Sequence, residues 1–215
     1  MKDEQMCTVL NDYFLSVFTK EDVENVPIPQ RIFHGIENDQ LFDIVITKDM
    51  VQQKLEELNC NKSHGPDEIH PRLLKEFSSV IAEPLAKLFQ NSLVQGVVPN
   101  DSREANITAL FKKGSKIANQ NYRPVSLTSV ICKQMESIIK DEIIKHFNIF
   151  KLINGSQHGF TKGRSCLTNL LEFFEKGTNE IDKGKPFDYI YLDFAKAFDK
   201  VPHFHLYFFT SCIVS

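Results

Sequence analysis

An α+β fold, mostly helical with one β-hairpin and one further strand, is predicted by three features of the sequence. Apolar residues recur every three or four positions in several long segments, two short β-rich runs flank a Lys-Lys-Gly turn, and an apolar, aromatic run stands alone near residue 190. At 215 residues, 42% hydrophobic and 25% charged, the chain has an ordinary globular composition and can bury one sizeable core or two small ones.

Met6, Val9, Leu10, Tyr13, Phe14, Val17 and Phe18 share one helical face, so residues 4–18 are expected to form an amphipathic helix. Residues 19–46 read as a connector interrupted by Pro27 and Pro29, with Leu41–Ile46 as a brief extended piece. Thr47 suits the N-cap of a helix through about Leu58 that buries Met50, Val51, Leu55 and Leu58. Gly65-Pro66 marks a turn within Lys62–Asp67, and Pro71 is placed to open the next helix. Helical spacing then runs from Leu73 to Val94. Pro84, lacking an N–H, is expected to divide it in two, and Gly96 to close it. Ala105–Phe111 and Tyr122–Leu127 read as the arms of a hairpin with Lys112–Lys116 at its tip. A long helix from about Ser129 to Phe147 follows. Gly155–Arg164 is a loop rich in glycine and cations, Ser165 caps a helix to about Ile181, and Phe187–Phe194 reads as a strand.

Several function classes fall away. Runs such as Tyr189-Ile190-Tyr191-Leu192 are far too short to cross a bilayer, so no membrane partner is expected, and no basic-then-apolar leader opens the chain. Cys7, Cys60, Cys132, Cys166 and Cys212 are odd in number and show no CxxC spacing, which argues against a disulfide framework or a zinc ribbon and for an intracellular location, nucleus or cytoplasm undecided. His203 with His205, and His64 with His70, lack the companions a zinc site needs and read as surface or turn positions. Charge is graded along the chain. Residues 1–59 hold five Lys and Arg against twelve Asp and Glu, whereas residues 103–164 hold eleven against four, local balances of −7 and +7. A segment that basic suits an anionic partner such as a phosphate backbone, the plainer alternative being solvated helix faces.

Asp193 ends the last apolar run with aromatic residues on both sides, where an ionised carboxylate is costly unless a cation or several donors meet it. Mg²⁺ takes few protein carboxylates and completes its shell with water and phosphate oxygens, so it would suit this position. A carboxylate capping the following helical turn is the alternative, and the strand by itself leaves both open.

Five stretches in order carry a family resemblance: Lys62-Ser63-His64-Gly65-Pro66-Asp67; Val98-Pro99 leading to Ala109-Leu110-Phe111-Lys112-Lys113-Gly114; Asn121-Tyr122-Arg123-Pro124-Val125-Ser126-Leu127-Thr128; Ser156-Gln157-His158-Gly159-Phe160-Thr161-Lys162-Gly163-Arg164-Ser165; and Tyr191-Leu192-Asp193-Phe194-Ala195-Lys196-Ala197-Phe198-Asp199. Together they resemble the reverse transcriptases of LINE-type (non-LTR) retrotransposons, especially the jockey and chicken-repeat groups, from about residue 4 to residue 203. The resemblance implies the fingers and partial palm of a right-handed polymerase acting on an RNA template, a DNA primer and a deoxynucleotide with Mg²⁺. It divides the chain into an acidic helical connector (1–59), fingers (60–186), the start of the palm (187–203) and a divergent tail (204–215). It implies that Asp193 is a catalytic metal ligand, that Phe198 is the gate beneath the sugar, and that Phe194 and Ala195 lie near the triphosphate. Arg123 with Lys112 or Lys113 would contact the nucleotide's phosphates, and Gln157, Lys162 and Arg164 would contact template and primer. The aromatic-x-Asp-Asp hairpin that completes such a centre is absent from residues 200–215, so a fragment inactive alone is expected. The alternative is a noncatalytic nucleic-acid-binding or interaction module.

Overall fold

The computed structural model describes residues 3–20, 41, 44–194 and 196–201, apart from the side chain of Phe198. The core is built by four helices: α2 (Lys48–Glu56), α3 (Pro71–Glu76), α4 (Ser78–Gln95) and α5 (Val130–Ile149). Thr47 caps α2 as its sequence suggests, its hydroxyl accepting from the Met50 N–H at 3.3 Å. That start angle turns Val51 and Leu55 fully inward, where they meet Ile46, Leu74, Ala82, Ala86, Phe89, Val130 and Ile138. The Ile46 N–H donates to the Gln90 side-chain oxygen at 2.7 Å and ties the end of the connector to α4. Leu41–Ile46 falls partly outside the described residues, and its described part forms no strand.

Pro84 does not divide the helix it occupies. The break lies at Phe77, between α3 and α4, and Pro84 sits inside α4. An internal proline costs about 3 kcal/mol. Ala82, Ala86 and Phe89 are buried on either side of it, and full burial of a side chain like Phe89 contributes roughly 1.5–3 kcal/mol. Continuing the helix to bury that face outweighs breaking it. Gly96 then closes α4 in the left-handed region, φ 64°.

β1 (Ala105–Phe111) and β2 (Tyr122–Thr128) pair antiparallel, with Leu110 opposite Arg123 and Phe111 opposite Tyr122. They form the one sheet among the described residues. α1 (Asp3–Val17) lies against one face of this hairpin, Leu10 and Phe14 sharing a hollow with Ile107 and Ala109, and Met6 and Val9 another with Ile117 and Tyr122.

The expected strand at 187–194 does not form. A strand needs a neighbour to take its N–H and C=O groups, and no described strand lies beside it. The segment leans instead on α6 (Cys166–Asp182) through alternate side chains. The Tyr189 and Tyr191 rings lie 4.3 and 5.8 Å from that of Phe173, and Gly177 leaves room for the Tyr189 hydroxyl, which a Cβ there would meet at 1.8 Å. The intervening Ile190 and Leu192 are 84% and 90% exposed. A short helix, α7 (Ala197–Lys200), follows.

Candidate nucleic-acid interface

Among the described residues, the hairpin presents its cations without carboxylate partners. Pairing with Leu110 puts Arg123 on the face turned away from α1, where both side chains are exposed. The tip is braced: the Lys112 N–H donates to Asn121 O at 2.8 Å, the Asn121 amide to Ser115 O at 2.8 Å, and the Tyr122 hydroxyl to Lys116 O at 2.9 Å. Lys112 and Lys113 project from this stiff turn and are exposed. Of the eleven Lys and Arg in 103–164, only Lys140 and Lys145 form ion pairs among the described residues.

Loop 155–165 is fastened to α6 by a buried histidine. Ser165 and Thr168 form a capping box that starts the helix, the Ser165 N–H donating to Thr168 Oγ1 at 2.9 Å and the Thr168 N–H to Ser165 Oγ at 3.3 Å. His158 Nδ1 lies 2.9 Å from Thr168 Oγ1, and Nε2 lies 2.7 Å from a carboxylate oxygen of Glu172. Arg164 donates through Nη1 to Gly155 O and approaches His158 Nε2 at 3.3 Å. Its remaining guanidinium nitrogens make no hydrogen bond among the described residues, and it lines an open cavity of about 460 Å³ with Gln157 and Lys151. Gln157 donates to Gly159 O at 2.9 Å, while Lys162 stands exposed. The latch itself was not legible in sequence, where only the Ser165 cap and the four-residue spacing of Glu172 and Lys176 hint at it.

Lys176 first, then His158 and Ser156, hold the Glu172 carboxyl at about 2, well below its ordinary 4.5. A carboxylate lowered in the folded state stabilises above its unfolded value, and that contribution fades as pH falls from about 4.5 toward 2. Because the Glu172 side chain is 31% exposed, solvent screening keeps the effect local. Amides of 155–172 are therefore expected to lose hydrogen-exchange protection across that acid window before those of the core helices. Glu172→Gln should remove this pH dependence, and equal behaviour of the two proteins would refute the assignment.

Asp193 is exposed and makes no side-chain hydrogen bond among the described residues, and Phe194 is 85% exposed. Ala195 and the Phe198 side chain lie outside the described residues, although the Phe198 backbone belongs to α7. Lys196 adopts the left-handed region at φ 55°, with its ammonium 2.5 Å from the Tyr13 hydroxyl and 4.2 Å from that ring's centre. Thr19 Oγ1 donates to Lys200 O at 3.3 Å. α1 and the residues after it thus touch both the hairpin and the segment after Asp193, a role its amphipathic pattern did not foretell. No three His, Cys, Asp or Glu side chains come together to hold a metal among the described residues. A single exposed carboxylate at Asp193 would leave most of a Mg²⁺ shell to water and phosphate oxygens.

Residues 111–211 match the reverse transcriptase (RNA-dependent DNA polymerase) family. The chain is 24% identical over 159 residues to the RNA-directed DNA polymerase from mobile element jockey of Drosophila funebris, covering 74% of this chain and 17% of that protein. It is 27% identical over 170 residues to the transposon TX1 149 kDa protein of Xenopus laevis, covering 75% of this chain and 12% of that one. Over 155 residues it is 26% identical to the retrovirus-related Pol polyprotein from retrotransposable element R2DM of Drosophila melanogaster, covering 70% and 14%. The chain spans less than a fifth of the length of each of these relatives.

Proposed function

We propose that this chain, whose residues 111–211 match the reverse transcriptase family, supplies the fingers of an RNA-directed DNA polymerase of a mobile element and holds nucleic acid and nucleotide on its basic middle segment. Residues 60–186 form those fingers and 187–203 the start of the palm. Arg123, with Lys112 or Lys113, neutralises the phosphates of an incoming deoxynucleotide. Gln157, Lys162 and Arg164 contact the sugar–phosphate backbone of RNA template and DNA primer. Asp193, Phe194, Ala195 and Phe198 belong to the nucleotide side of the same centre, with Asp193 its first carboxylate. The observation that carries this reading is the row of exposed cations on 103–164 with so few carboxylate partners, in a chain whose net charge is −3. A noncatalytic nucleic-acid-binding module is the second reading, favoured by the absence, among the described residues, of any cluster of three or more metal-ligating side chains.

Fluorescence anisotropy with a labelled primer–template, titrated between about 50 and 200 mM salt, tests the proposal. Binding indifferent to sequence and falling steeply with salt is expected, since each neutralised phosphate releases counterions. Charge reversal at Lys112, Lys113 and Arg123 together removes part of the basic surface and should weaken binding and flatten the slope of log affinity against log salt. Absence of binding at low salt, or an unchanged slope in the triple variant, refutes it.

A further inference from the structure

One side chain of loop 155–165 takes no part in the contacts proposed for its neighbours. Phe160 is 96% exposed, the most exposed of the large hydrophobic residues described, and its backbone lies in the left-handed region at φ 58°. Bulky L-residues rarely occupy that region, and an aromatic ring gains nothing from water. Both unfavourable features are held in place by the surrounding turn. Gln157 and Thr161 donate side-chain hydrogen bonds to Gly159 O at 2.9 and 3.3 Å, the Arg164 N–H donates to Thr161 O at 3.2 Å, and the His158 latch anchors the loop to α6. The ring is thereby presented on a braced tip.

Its chain neighbours decide what it suits. Gly159, Thr161, Lys162, Gly163 and Arg164 supply no apolar surface for a protein partner, but they put two cations two and four positions along the same loop. A flat ring on a loop with cations that have no carboxylate partner among the described residues matches single-stranded nucleic acid, in which a base stacks on the ring and the adjoining phosphates meet the cations. We propose that Phe160 is a stacking residue for an unpaired nucleobase of bound single-stranded nucleic acid. This inference rests on the reading that the fragment binds nucleic acid. Stacking makes the contact tolerant of sequence, because every base offers a π-face.

The chain contains no tryptophan, so Phe160→Trp in the full 215-residue protein places a single indole at the tip. With a uridine dodecamer RNA at low salt, that variant is expected to bind within about twofold of the parent, with its indole emission quenched on binding. Phe160→Leu keeps an apolar side chain but loses the π-face, and should bind roughly fivefold to a hundredfold more weakly with an unchanged salt slope. Helix content by circular dichroism should be the same in all three proteins, since the substituted side chain is exposed. An indole unquenched at saturation, or a Phe160→Leu protein that binds as the parent does, overturns the stacking role while leaving nucleic-acid binding intact. A parent protein that does not bind the RNA overturns both.

Discussion

Gly65→Ala is expected to destabilise the folded protein by roughly 3 kcal/mol, at the upper end of what overpacking costs. A Cβ on Gly65 would stand 2.6 Å from the Thr128 carbonyl carbon and oxygen and 2.6 Å from the Ser129 nitrogen. All three are backbone atoms, and no side-chain rotation can clear them. They also mark the joint between β2 and α5, where the Ser129 hydroxyl accepts from the Cys132 N–H at 3.4 Å and Val130 enters the core. Moving the joint would therefore cost the cap as well as the packing. The glycine is required by space and not by φ, so serine should fare no better than alanine. Urea unfolding would show a lowered midpoint with an unchanged slope. Gly155→Ala, where a Cβ meets nothing within 4 Å, serves as the control and should change stability by less than about 1 kcal/mol. A Gly65→Ala protein as stable as that control would show that the Lys62–Asp67 loop does not pack as described.

A protein of these 215 residues is expected to extend no primer on an RNA template supplied with Mg²⁺. Nucleotide transfer of this kind relies on two ions clamping the attacking and leaving oxygens. Asp193 is one carboxylate in open solvent, and Asp199 sits within α7, beyond Lys196 and its left-handed turn. Primer extension on purified protein is the measurement, with Asp193→Ala as the control for a contaminating polymerase. Extension that vanishes in that variant would show that further carboxylates reach Asp193 from elsewhere in the chain or from another copy.

Local signals in the sequence are legible where a single residue's chemistry decides the outcome. Thr47 and Ser165 open their helices, Pro71 starts α3, Gly96 ends α4, and both arms of the hairpin lie where β-rich residues and the Lys-Lys-Gly turn place them. Features that depend on partners are misplaced by sequence alone. Pro84 predicts a break by its own chemistry, but the buried face formed by Ala82, Ala86 and Phe89 keeps α4 continuous. The run 187–194 has the apolar, aromatic composition of a strand, and its odd-numbered rings do share a face, but a ladder belongs to a pair of strands. The candidate cations were legible as charge. Their fastening was not, because the contact between His158 and Glu172 spans fourteen positions and a loop whose course no periodicity encodes.

Among the described residues, the buried cluster that unites α2 to α5 draws only on residues 46–138. Synthesis on a ribosome is directional, at about 5–20 residues per second, so every member of that cluster is made before α6 or the Asp193 segment exists. The helical body can close during translation, and the later segments are added to a structure already formed. A copy of this coding sequence whose reading frame is damaged after residue 149 would still encode that body, along with the hairpin and its cations. Inheritance of the helical body and the hairpin is in this sense uncoupled from inheritance of the α6 latch and the Asp193 segment.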